Sequence, residues 1–124
     1  MMAELNHTIV WATDRGASAE FLAGVLGLAV GEETAPFLPV VLGNGVTLDF
    51  AQAGKSDTVA GQHYAFLVSD AEFDAALERL TASGTAIYAD PLHRTTGING
   101  MFGGRGFYFD DPDGHNMELL TRAG

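Results

Sequence analysis

The sequence predicts an α+β fold: two tandem βαβββ modules that form a curved mixed sheet around a cleft. Three observations carry that expectation. A polar amide-bearing residue, a His, an apolar run and an Asp seven residues after the His occur twice, at Asn6-His7-Thr8-Ile9-Val10-Trp11-Ala12-Thr13-Asp14 and at Gln62-His63-Tyr64-Ala65-Phe66-Leu67-Val68-Ser69-Asp70. Such internal repetition is the first thing a fold prediction has to satisfy. Each copy is followed by apolar residues at helical spacing, and each half of the chain closes on an apolar hairpin built around a turn glycine.

Taken in order, the two His-headed runs are short, apolar and bounded by turn residues, which reads as a buried strand opening each module. After the first, Phe21, Leu22, Val25 and Leu26 give one helical stripe that stops at Gly27, and Leu28 to Val30 reads as a short strand. Pro39 to Leu42 and Val46 to Phe50 flank Asn44-Gly45, a pair that tolerates positive φ and suits a tight hairpin. In the second copy Phe73, Ala76, Leu77 and Leu80 recur at offsets of three and four, and Ser69-x-x-Glu72 fits a capping box before them. Gly84 is placed to end that helix in the left-handed region, and Ala86 to Tyr88 reads as a strand. Gly106 to Asp110 and Asn116 to Thr121 then flank the turn Asp111-Pro112-Asp113-Gly114. The expected organisation is one domain over residues 1–124, with module one at 1–53, a linker at 54–59 and module two at 60–124.

Composition narrows the function. The 124 residues hold Lys+Arg 6 against Asp+Glu 16, a formal net charge of −10, and no basic stripe offsets it, so nucleic acid is not an expected partner. Cys 0 excludes disulfides, thiolate metal sites and a Cys nucleophile. No apolar run reaches the ~20 residues of a membrane span, and no basic-then-apolar leader opens the chain, so a cytoplasmic protein is expected.

The chemistry sits at equivalent places of the repeat. His7 and His63 head the two opening strands, while Asp49 and Glu118 each lie four residues after a turn glycine, Gly45 and Gly114. Two His and one carboxylate on separate strands make a facial triad that leaves coordination positions open. An ion so held polarises an oxygen or ionises a bound water. Nitrogen and oxygen donors without thiolate admit Mn, Fe, Ni, Co or Zn. Glu118 stands inside the apolar run Met117-Glu118-Leu119-Leu120 and needs a partner, be it a metal, an Arg or a backbone amide. His115, three residues from Glu118, points to the opposite strand face and reads as a turn residue. His93 lies in a loop and is expected in solvent.

These residues resemble the vicinal-oxygen-chelate superfamily, which includes glyoxalase I, bleomycin-resistance proteins, extradiol dioxygenases and fosfomycin-resistance thiol transferases. The likeness spans nearly the whole chain. Its most specific parts are Leu5-Asn6-His7, His63-Tyr64-Ala65-Phe66, and Phe107-Tyr108-Phe109-Asp110-Asp111-Pro112-Asp113-Gly114-His115 running to Glu118. The resemblance implies a divalent metal on His7, His63 and Glu118, and a domain-swapped homodimer sharing its site, His7 coming from one subunit and His63 and Glu118 from the other. It places Asp49 where some members supply a fourth ligand, which makes it a ligand or a general base, and Tyr108 where a phenol contacts substrate. The segment from Asp90 to Arg105 is a long Gly-rich loop that departs from the fosfomycin enzymes and has the composition of a lid. Its Arg94 and Arg105, with Trp11 and Phe50, complete the expected substrate-binding set.

The expected function is a metal-dependent lyase or transferase of the glyoxalase or fosfomycin-resistance type, acting on a small oxygen-rich molecule. A metal-free drug-sequestering protein of the bleomycin-resistance kind is one alternative. An Fe(II) extradiol dioxygenase is the other.

Overall fold

The computed structural model describes residues 2–124, which fall into two compact units, 2–59 and 60–124. Unit one contains β1 (His7–Ala12), α1 (Arg15–Leu26), β2 (Leu38–Val41) and β3 (Thr47–Gln52). Unit two contains β4 (His63–Leu67), α2 (Asp70–Ala82), β5 (Gly106–Asp110) and β6 (Asn116–Leu120), with a 3-10 turn at Met101–Gly103 before β5. The two units share one plan. In the first the strand order is β1-β3-β2, with β1 parallel and β2 antiparallel to the central β3. In the second it is β4-β6-β5, with β4 parallel and β5 antiparallel to β6. This is the expected α+β architecture with mixed sheets.

Strand alternation decides which face of each sheet is core. In unit one Val10, Ala12, Val40, Leu48 and Phe50 are buried on the side shared with Ala19, Leu22, Ala23 and Val25 of α1. In unit two Phe66, Phe107, Phe109, Met117 and Leu119 are buried with Phe73, Ala76 and Leu80 of α2, and the Phe73 and Phe107 rings meet at 4.9 Å. Each sheet thus has one face covered by its own helix, and His7, Asp49, His63 and Glu118 lie on the other.

The helix ends follow the local sequence. Asp14 accepts a hydrogen bond from the Ala17 amide to open α1, and Gly27, at φ 70, ends it. Ser69 and Glu72 form the expected reciprocal capping box at α2. Gly45, at φ 87, makes the β2–β3 turn that a side chain would strain.

Two expected strands do not form. Leu28 to Val30 runs as irregular chain: the Leu28 amide is drawn back to Ala23 O in the helix cap, and only Gly31 reaches β2, through Pro39 O at 2.8 Å. Of Ala86 to Tyr88 only Tyr88 pairs, exchanging both backbone bonds with Tyr108 at 2.8 and 2.7 Å before the chain turns away. Caps and turns take the amides that a ladder would have used. Each unit is therefore βαββ with a remnant of its second expected strand. Among the described residues no helix is long and apolar enough to cross a membrane.

Candidate functional site

Glu118 sits in the central strand of unit two, on the face away from α2. Register sets Ala65 of β4 on one side of it and Tyr108 of β5 on the other, while His63 pairs with Asn116 one alternation away. Glu118 is 6% exposed, so its carboxylate has given up most of its water and depends on protein partners. His63 supplies one: its Nε2 lies 3.1 Å from Glu118 Oε1. The other ring nitrogen faces the backbone carbonyl of Asn116 at 2.9 Å. A carbonyl only accepts, so Nδ1 carries a proton, and Nε2 of the neutral ring presents its lone pair to a carboxylate oxygen. Two acceptors aimed at each other call for a cation between them, either a proton or a metal ion. Fixing a ligand imidazole through a hydrogen bond from its second nitrogen is the usual outer-shell device at metal sites.

Tyr108, 3% exposed, lies beside this pair, its ring centroid 6.0 Å from that of His63. Burial holds its phenol above the ordinary tyrosine range, and the charge and hydrogen bond of Glu118 push the same way. Its Oη also faces Met101 Sδ at 3.8 Å. The proton on this phenol is therefore well held beside the carboxylate.

Unit one repeats the layout. His7 pairs with Thr47 and Ile9 with Asp49, so Asp49 stands in the same register relation to His7 as Glu118 does to His63. The Nδ1 of His7 faces Asn6 Oδ1 at 2.8 Å. Trp11, 51% exposed, shares this face. Two of the three expected ligands, His63 and Glu118, are thus brought together in unit two, and His7 belongs to unit one. Among the described residues no group of three or more His, Cys, Asp or Glu is placed to hold a metal ion.

Several expected site residues stand elsewhere. Phe50, expected to line the cleft, is fully buried on the α1 side, because it follows Asp49 on the strand and alternation sends it to the opposite face. Arg105, expected at substrate, donates to Asp74 Oδ1 and Asp70 Oδ1 at 2.8 and 2.9 Å and lies 4.4 Å over the Phe73 ring, which ties β5 to α2. Arg94 has an exposed side chain, and its amide donates to Asp90 Oδ1 at 2.9 Å as part of a local turn. His115 is fully buried behind the turn, its Nδ1 accepting from the Gln62 amide at 3.0 Å, in keeping with its strand parity.

His93 was expected in solvent, and here the structure differs. Its ring stacks on Tyr88 at 4.2 Å and its Nε2 meets Asn116 Oδ1 at 2.8 Å. Loop composition gave no hint of this, although Asn116, two residues before Glu118 and so on its face, could have been recognised from strand parity.

The chain is similar to known proteins over nearly its whole length. A family profile described as the glyoxalase/bleomycin resistance protein/dioxygenase superfamily matches residues 4–119. The solved structure of oxidase ChaP-H2 is 51% identical, covers 99% of this chain and 96% of its own, and superposes with a TM-score of 0.95. That of oxidase ChaP-H1 is 54% identical over 98% of both chains, with a TM-score of 0.94. A glutathione transferase, FosA of Serratia marcescens, is 29% identical across 96% of this chain and 81% of its own length.

Proposed function

The chain belongs to the glyoxalase/bleomycin resistance protein/dioxygenase superfamily, and from that premise we propose that it is a metal-dependent oxidase of small oxygen-bearing molecules, its ion held by His63, Glu118 and His7. The observation that carries this reading is the His63–Glu118 pair: a carbonyl-oriented imidazole whose Nε2 lies 3.1 Å from a buried carboxylate oxygen. The donor set fits the group, since two imidazoles and a carboxylate suit Fe(II) and its divalent neighbours. The oxidase name of the two half-identical relatives moves the reading from the lyase or transferase expected first toward redox chemistry. A divalent ion at this place supplies Lewis acidity at a substrate oxygen and, if it is iron or manganese, a redox couple.

The remaining work falls to the chain. His63 and Glu118 form the ion's anchor in unit two, and Asn116 O keeps the His63 ring from rotating. Tyr108 holds a proton at Oη beside that anchor and offers it to a substrate oxygen as charge develops there, which is general-acid work. Trp11 presents an exposed apolar ring on the His7 face for a substrate to rest on, and Asp49 is proposed as a fourth ligand or a base. A homodimer completes the proposal, with light scattering as its check.

Anaerobic reconstitution with Fe2+, followed by admission of oxygen and a panel of catechols and hydroxyquinones, tests it through oxygen uptake. Uptake that requires Fe2+ or Mn2+ and disappears in Glu118→Ala supports an oxidase. Glutathione addition under Mn2+ without oxygen uptake would favour the transferase reading that the FosA likeness supports.

A further inference from the structure

The loop that follows Tyr88 is closed by its own carboxylate. Asp90 accepts from the Arg94 and Thr95 amides, the latter at 2.7 Å, and the Thr95 amide holds its carboxyl below the ordinary aspartate range. Inside that turn His93 adopts φ 56, a conformation uncommon in a side-chain-bearing residue and kept only where the surroundings over-determine it. The surroundings are evident. The imidazole lies flat on Tyr88, 6° from parallel, with 20% of its side chain exposed, and its Nδ1 is 3.5 Å from Asp110 Oδ2.

What His93 holds is Asn116. An amide oxygen only accepts, so Nε2–H of His93 donates to Asn116 Oδ1 at 2.8 Å. The Asn116 Nδ2 donates to Pro91 O at 3.0 Å, which pins the amide at both ends to the same loop. The backbone of Asn116 is pinned as well, its amide donating to Gln62 O at 2.7 Å. The one remaining polar group of Asn116 is its carbonyl, which accepts from Nδ1 of His63. The loop therefore sets the position of the residue whose carbonyl sets the tautomer and ring angle of His63.

We infer that His93 is a positioning residue: through Asn116 it holds His63 with its Nε2 turned toward Glu118, ready for a metal ion. The inference rests on the metal-site reading proposed for His63 and Glu118. Outer-shell partners of this kind are worth about 10–100-fold in metal affinity. His93 acts one residue further out, and its loss is expected to cost about tenfold, at the low end of that range.

The test uses Co2+ titration and two-bond proton–nitrogen spectra of the metal-free protein. In wild type the spectra show His63 with its proton on Nδ1. His93→Ala weakens Co2+ binding about tenfold and lets the His63 tautomers mix, while His93→Gln, which keeps an N–H donor on a long side chain, restores most of both. Ser69→Ala, a helix-cap change in the same unit, serves as the destabilised control and leaves Co2+ affinity and tautomer unchanged. Equal affinity and an unchanged tautomer in His93→Ala overturn the inference, and so does an equal loss in Ser69→Ala. If the wild type takes up no Co2+ the metal reading itself fails. The tautomer of metal-free His93→Ala then decides alone: mixing upholds the positioning role, and retention of Nδ1–H ends it.

Discussion

His63 Nε2 lies 3.1 Å from Glu118 Oε1 although the two residues are 55 apart along the chain. Because Asn116 O claims the Nδ1 proton, the contact is a carboxylate joined to an imidazole by whatever cation lies between them.

A metal ion bound here competes with protons for the same lone pairs, so its binding weakens toward acid pH and any protons it displaces are released. Calorimetric titration of Co2+ or Zn2+ in two buffers of different ionisation enthalpy measures the release directly. Glu118→Gln, which removes one of the two groups that compete with the metal for protons, is expected to release fewer protons as well as bind more weakly.

Tyr108 reports on the same carboxylate. Its phenol is raised first by burial and then by the charge of Glu118 and a hydrogen bond to it, so removing that charge in Glu118→Gln brings the titration back toward the ordinary tyrosine range. Ring-carbon NMR of metal-free protein, assigned with Tyr108→Phe, follows it. Burial alone would leave the titration of Glu118→Gln where it stands in wild type.

At the start of α2, Ser69→Ala removes the acceptor for the Glu72 amide and should cost about 1 kcal/mol in urea unfolding. Glu72 titrates below the ordinary range because the Ser69 amide bonds its carboxylate. The folded pKa is lowered, so this contribution is present above the unfolded carboxylate range and is lost as pH falls through the folded value. Glu72→Gln should flatten that part of the stability profile by lowering neutral stability toward its acid value.

Phe50 and Trp11 provide a test of face assignment in unit one. Phe50 is fully buried against α1 and Trp11 is 51% exposed on the His7 side. Phe50→Ala should destabilise by about 3–5 kcal/mol, as deletion of a buried Phe does, and Trp11→Ala far less. Thermal unfolding separates the two, and equal losses would contradict the assignment.

Much of the fold was legible because the chain states it twice. The repeated His-run-Asp pattern, the capping box at Ser69 and the turn at Gly45 are local signals, and local hydrogen bonding realises each of them. Leu28 to Val30 misled because three apolar residues carry no period, and the helix cap took the Leu28 amide first. Parity along β6 correctly set His115 on the face opposite Glu118, and the buried His115 bears that out. Parity also rules out Phe50 at the site, since it follows Asp49 on the strand and its aromatic ring is buried against α1. Arg105 was read as a loop cation, whereas Asp70 and Asp74, one helical turn apart on α2, hold its guanidinium. His93 could not be read at all, since its partners Tyr88 and Asn116 meet it only through the closure of a Gly-rich loop.

The central claim, that His63 and Glu118 hold a divalent metal ion, is tested most directly by Co2+ titration of the metal-stripped protein, followed in the visible d–d bands. The account predicts saturable uptake by wild type. Binding should be weakened in His63→Ala and in Glu118→Ala by more than the about 10–100-fold that outer-shell changes cost. A wild type that takes up no Co2+, or variants that bind it as tightly as wild type, would contradict it.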